Sequence, residues 1–306
     1  MKFGIALNTY ELGTGDDCAD LHSHLDLVTH GYERGLRSIF VFEHHFSGYL
    51  VSPAPLLTIG FLAGRLPEAT FGTSVLVLPL HDTVRLAEQI ALLDNLTRGR
   101  CLFGFGVGRS TAEYEGLGCD KATSVERFPL MMSRLIELLA SDPASHSTPI
   151  RPRPRYSPHK RFYTAGRRLD ILGIRVMRNY APTMPRSPGS VVFVPITLAR
   201  TTEAARRLAL RVTHADLVLR NKHYGVTPTR PTPEQVQSAV GSQVVGSAVD
   251  AAEQIQTIGE RTACEHLVFE FAFGGRDLDE AAHMIDLFGT RVLPLLSGNM
   301  RLGEDG

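Results

Sequence analysis

The stretch Ser38–His45, SIFVFEHH, constrains this chain most. Ser38–Glu43 has strand length, and its apolar core Ile39–Phe42 is unbroken. A strand apolar on both faces belongs in a sheet covered on both sides, and such sheets are parallel. The run ends in a carboxylate and two imidazoles, then Phe46 and the turn Ser47-Gly48. Parallel α/β proteins present ionisable groups in this way, at the C-terminal tips of buried strands. Side chains alternate along a strand, so Glu43 and His45 share one face and His44 points to the other. The two histidines are therefore expected to have different jobs. A cluster that only caps neighbouring backbone is the plain alternative.

The same alternation of strand-length runs and helical patterns recurs along the chain. Strands are expected over Phe3–Asn8, Ser38–Glu43, Phe71–Leu78, Cys101–Val107, Arg161–Ala165, Ile174–Ala181, Val191–Leu198 and His266–Phe273. Between them lie apolar residues at helical spacing, such as Leu21, Leu25, Val28 and Tyr32. Gly35 and Gly99 stop helices, Asp82 caps one, and Ser247-x-x-Asp250 is a capping box. Eight strands separated mostly by helices predict a (β/α)8 barrel in one domain, 1–306. An open doubly wound sheet is the second choice, but no G-x-G-x-x-G follows strand one. The segments 142–160, rich in Pro and Arg, and 220–243, polar and Pro-containing, are expected to be loop or lid excursions. The helix Thr83–Thr97 carries two apolar stripes, Leu86, Ile90 and Leu93, and Val84, Ala87 and Ala91. One stripe packs on a sheet; the second predicts burial on another side, against a partner subunit.

Composition excludes several function classes. Lys+Arg and Asp+Glu both number 32, so nothing points to nucleic acid or an anionic membrane. No apolar run reaches the length of a membrane span, and Met1-Lys2 leads straight into a strand rather than a signal peptide. The four cysteines, Cys18, Cys101, Cys119 and Cys264, are far apart, which argues against a zinc site or disulfide framework and for a reducing cytoplasm. Trp is absent, so Phe and Tyr must serve any planar ligand.

Four strings, taken in order and spacing, carry a family resemblance: Met1-Lys2-Phe3-Gly4, Glu43-His44-His45-Phe46, Gly72–Pro79 (GTSVLVLP) and Leu93–Arg100 (LDNLTRGR). Together they resemble the bacterial luciferase-like flavin-dependent monooxygenases. The likeness is closest over the first 120 residues, weak between Ser141 and Val191, and resumes from Val244 to Pro294. It implies a luciferase-like (β/α)8 barrel, here shortened between strands 4 and 7, that forms a homodimer through 83–97 with Glu88 as an interfacial carboxylate. It also implies reduced FMN or, in a branch, coenzyme F420.

Carried over residue by residue, the resemblance makes His44 the catalytic histidine, accepting a proton near the flavin C4a edge. Ser74-Val75 becomes the pair whose backbone, often a non-prolyl cis peptide, packs against the flavin ring. The phosphate requires fixed donors. The family's strand-four arginine is Val107 here, so Arg109 is the expected replacement, beside Gly106. At strand five the expected contacts are Ala165, Gly166, Arg167 and Arg168. A reactive family cysteine is Gly106 here, so no thiol chemistry is expected. Asn8, His45, Phe46 and Tyr180 are the expected substrate-pocket residues, and no metal is expected.

Three functions follow. The first is a two-component monooxygenase that takes reduced FMN from a flavin reductase and oxidises a small organic substrate with O2. The second is an F420-dependent hydride-transfer oxidoreductase. The third is a non-catalytic flavin-binding protein. The Glu-His-His tip favours the first over the third, whereas Arg167-Arg168 would suit the long anionic tail of F420.

Overall fold

The computed structural model describes residues 1–47, 49–140, 149–165, 175–179 and 190–298. These fall into two compact units. Of the described residues, one holds 1–39, 175–176 and 190–298; the other holds those of 40–165 and 177–179.

The first unit opens with β1 (Lys2–Leu7) and α1 (Asp17–Glu33). Asp16 caps α1 by accepting from the Cys18 and Ala19 N–H groups, and Gly35 turns the chain with φ 101°. The next strand, β2 (Ser38–Val41), starts in this unit and ends in the other. It stops two residues short of the expected end. The Phe42 carbonyl is taken by the Ser52 hydroxyl at 2.7 Å, so a side chain replaces the ladder there.

The second unit continues with α2 (Pro55–Arg65), β3 (Thr70–Val77), α3 (Thr83–Leu96) and β4 (Cys101–Gly106). After these come α4 (Thr111–Gly116), α5 (Ser124–Ala140), β5 (Phe162–Ala165) and β6 (Arg175–Asn179). β3, β4 and β5 pair in parallel, and Phe71, Phe103, Phe105 and Phe162 fill the space behind them. β6 pairs with β5 antiparallel, Tyr163 opposite Asn179. The sequence reading counted it among the barrel strands, and it does join the sheet, but in the opposite direction to the parallel strands of a (β/α)8 barrel. An antiparallel strand itself returns the chain, which in a β/α unit is the work of a helix. That is the physical content of the expected shortening.

Segment 149–157 is irregular, as expected, yet firmly tied. Asp94, buried in α3, accepts from the Arg161 guanidinium and, at 3.0 Å, from the Tyr156 N–H. Arg161 also donates to the carbonyls of Gly99 and Cys101, at the start of β4. The α3 stripes also differ from expectation. Ala87 and Ala91 are buried by the unit's own helices, since α3 lies against both α2 and α5. The exposed apolar ridge is instead Val84, Leu92 and Leu96, with Glu88 in the same i, i+4 row.

Returning to the first unit, the remaining elements are β7 (Val191–Leu198), α6 (Thr202–His223), α7 (Pro233–Val240), β8 (Val244–Gly246), α8 (Ala248–Thr262), β9 (His266–Glu270) and α9 (Leu278–Leu287). β9 lies between β1 and β7, and β7 also pairs with β8, all parallel. Phe3, Phe269, Phe271 and Phe288 form an aromatic cluster with centroids 5.0–6.1 Å apart. β8, only three residues long, is the parallel strand the sequence did not reveal. The expected 220–243 loop contains the end of α6 and all of α7. Thr232 and Gln235 form a capping box, and Val236 and Val240, one turn apart, pack on Ala209 and Leu217. Polar composition hid a helix with a narrow apolar stripe. The capping box at Ser247 and Asp250 forms as expected.

Candidate active site

The ends of β2 and β3 meet at a buried carboxylate. Glu43 is 3% exposed. One oxygen, Oε1, lies 3.1 Å from His45 Nε2 and 2.8 Å from His81 Nε2. The other accepts the Val77 N–H at 2.8 Å. Glu43 thus ties the tip of β2 to the last residue of β3 and to the turn beyond it. Burial pushes its pKa up. The hydrogen bonds from His45 and His81, the charge of His81 and the Val77 N–H outweigh that, and the carboxyl stays below its ordinary value. The bond to Glu43 in turn raises His45; burial opposes this, and the charges of Glu43 and Glu113 support it.

A second buried carboxylate serves the other histidine. Glu113 is 2% exposed and sits on α4. Its Oε1 lies 2.8 Å from His44 Nδ1 and accepts the His45 backbone N–H at 3.1 Å. The His44 backbone N–H donates to Ser52 O at 3.1 Å, and the Tyr49 ring stands edge-on to the imidazole at 5.9 Å. Glu43 and His45 thus meet and His44 has a different partner, although β2 has already ended at Val41.

Next to Val77 in β3 the strand geometry is irregular. The Ser74–Val75 peptide is cis, and β3 and β4 shift register between Thr73 and Leu76. Gly106 has no room for a side chain: an added Cβ would lie 2.6 Å from Val75 Cγ2 and 3.9 Å from Ala165 Cβ. Ser74, Val75, Gly106 and Ala165 therefore gather on three adjacent strand ends. Arg109 is exposed, and its carbonyl accepts from Lys121 Nζ at 2.8 Å. Val107 gives its carbonyl to the Tyr114 hydroxyl. Phe46 is 66% exposed, in the left-handed region at φ 56°, with its ring over Gly116. Asn8 belongs to the first unit; its Nδ2 donates to Ala272 O at 2.9 Å and its Oδ1 is buried without a partner. Gly166, Arg167, Arg168 and Tyr180 lie outside the described residues.

Sequence reasoning missed Glu113 and His81. The pattern Ser110-x-x-Glu113 suggests capping, and Ser110 does accept the Glu113 N–H, but the glutamate side chain turns to His44 instead. His81 follows a strand end closed by Pro79, and its position there is the single available signal.

A family model described as luciferase-like monooxygenase matches residues 1–223. The chain belongs to that family. Limonene 1,2-monooxygenase of Rhodococcus erythropolis is 29% identical over 148 residues, 48% of this chain and 38% of that protein. The chain thus matches about two fifths of this relative's length. Among solved structures, monooxygenase RslO1 from Streptomyces bottropensis superposes with a TM-score of 0.74 at 17% identity, over 96% of this chain and 99% of that one. The oxygenating constituent of 3,6-diketocamphane monooxygenase from Pseudomonas putida, solved in complex with FMN, gives 0.67 at 16% identity, over 96% and 98%. The fold class is therefore the one expected, the parallel α/β fold of the luciferase-like family, whose members are flavin-dependent monooxygenases.

Proposed function

We propose that this protein is the oxygenase component of a two-component system. It would take reduced FMN from a flavin reductase and oxidise a small organic substrate with O2, in the cytoplasm. The carrying observation is the presence, on neighbouring strand ends, of two buried carboxylate–histidine pairs and the close-packed group Ser74, Val75, Gly106 and Ala165. The lack of a side chain at 106 lets Val75 pack against β4 there, and the planar ring would lie against Val75. Val75 and Ala165 would bound it, and Arg109 with Gly166, Arg167 and Arg168 would hold the phosphate. Reduced flavin, when bound, supplies the electrons for oxygen activation. His44 accepts the proton released in that chemistry. Glu43 holds His45 and the β3 end in place, and His45 and Phe46 contact the substrate.

The flavin we propose is FMN, with which the diketocamphane component was solved, and F420 is the second choice, since an F420-dependent tetrahydromethanopterin reductase shares the fold. The exposed ridge of Val84, Leu92 and Leu96, beside Leu57 at 76% exposure and Phe61 on α2, supports a homodimer through 83–97. Among the described residues no helix is long and apolar enough to cross a membrane. Anaerobic titration with reduced FMN and with reduced F420, followed by mixing with O2, tests the reading. Oxygen-dependent turnover with FMN supports it. Binding of F420 alone, with hydride transfer and no oxygen uptake, would replace it.

A further inference from the structure

We propose that Glu113 is the positioning residue of His44, fixing the tautomer that leaves Nε2 as the proton-accepting atom, while Glu43 sets His45 to the opposite tautomer. The inference rests on the reading of His44 as proton acceptor and adds how the ring is made ready.

Glu113 Oε1 takes two contacts at once. One comes from the His45 backbone N–H at 3.1 Å, a group that can only donate. An oxygen that accepts there presents lone pairs, and the His44 nitrogen 2.8 Å away must then carry its proton toward it. In a neutral imidazole with Nδ1–H, the remaining lone pair is on Nε2. The ring is also held against rotation. Its backbone is bridged to Ser52, Tyr49 stands against it, and the same carboxylate oxygen that meets the ring also grips the peptide of the next residue. At His45 the partner is reversed, because Glu43 Oε1 meets Nε2 at 3.1 Å and leaves Nδ1 as the unbonded ring position toward that carboxylate. Two adjacent histidines are thus held by two buried carboxylates through different nitrogens. The helix end does not need the Glu113 carboxylate, since Ser110 caps α4. Burying a carboxylate is costly, and orienting a histidine is a use that offsets the cost.

The test begins without flavin, on the full chain with 15N-labelled histidine. Long-range 1H–15N spectra at alkaline pH, with His44 assigned by its loss in His44→Asn, should show a protonated Nδ1 and a bare Nε2. His45 should show the reverse. Glu113→Ala should release His44 to a mixture of tautomers, while Glu113→Gln, which keeps an acceptor oxygen, should retain Nδ1–H. A His44 protonated at Nε2 in the wild type, or a tautomer indifferent to Glu113, overturns the proposal. In turnover, Glu113→Ala should slow the chemical step about 10–100-fold, as loss of an orienting partner does, with reduced-FMN affinity within twofold. Added formate should restore part of that rate. Equal losses in rate and flavin affinity in both Glu113 variants, with no formate effect, mark a merely structural carboxylate and overturn it too. If His44→Asn itself turns over at the wild-type rate, the proton-acceptor reading fails, and the spectra still decide the tautomers.

Discussion

Two groups of histidines in this protein are tuned in opposite directions. At the tip of β2, His45 lies against the buried Glu43 carboxylate, and its pKa is raised. At the start of β9, His266 is also buried, 1% exposed, but its near partner is the Ser38 hydroxyl at 2.9 Å. Its nearest carboxylate, Glu265, is half-exposed and 3.7 Å away. Burial therefore dominates, Lys2 and the N-terminus add to it, and His266 is pushed down to about 4 against the weaker pull of Glu265. His24, buried beside the Tyr10 carbonyl, is lowered by the same cause. Burial alone keeps an imidazole neutral. A buried carboxylate in direct contact makes it a proton holder. His266 and His24 are held by packing, whereas His45 is held by a carboxylate that favours its charged form.

The largest expected effect separates the two groups by activity. His44→Ala should lower product formation by about 10²–10⁴, the usual worth of a positioned acid–base group, with reduced-flavin binding nearly unchanged. His266→Asn should leave turnover alone. Stopped-flow mixing with O2 and substrate measures both, and a His266 variant as impaired as the His44 variant would break the comparison.

The next effect separates them by pH. The folded-state pKa of His266 lies below the ordinary 6.5, so the unfolded chain takes up the proton first as pH falls. Stability should decline between pH about 6.5 and about 4, by roughly 3 kcal/mol in total from this group. Urea unfolding across that range should show the loss, and His266→Asn should flatten it. An unchanged slope in the variant would remove His266 from the account.

A smaller effect has the opposite sign. The raised pKa of His45 makes its contribution complete below 6.5 and lost as pH rises through its folded value. The lowered pKa of Glu43 makes its contribution complete above 4.5 and lost as pH falls through its own. Glu43→Gln should cost about 1.5–3 kcal/mol between those limits, the worth of a hydrogen bond to a charged group, and less outside them. A cost independent of pH would show that the cluster acts through shape alone.

Much of the fold was legible in the sequence because strands of four to eight residues leave apolar runs, and helices between them leave caps. β8 escaped because three residues, Val244–Gly246, are too few to show a period. The direction of β6 escaped because pairing sense is a property of two strands and their connection. α7 escaped because one turn of apolar spacing among polar residues reads as a loop. In the site, Glu43, His44 and His45 stood together on one string. Glu113 is 69 positions from His44, and nothing local marks a carboxylate whose partner lies that far along the chain.

Gly116 closes α4 beneath the ring of Phe46. A designer guided by helix propensity would replace it with alanine, expecting up to about 1 kcal/mol in return. The added methyl would lie 2.4 Å from the Phe46 ring. Because Phe46 is exposed, the ring would swing aside rather than unfold the helix, and the change would pass a screen for thermal tolerance unnoticed. With Phe46 in the substrate contact proposed above, it would surface later, as an altered preference among substrates. Selection for robustness and selection for specificity meet at this residue, and an engineering campaign on this protein should score both there.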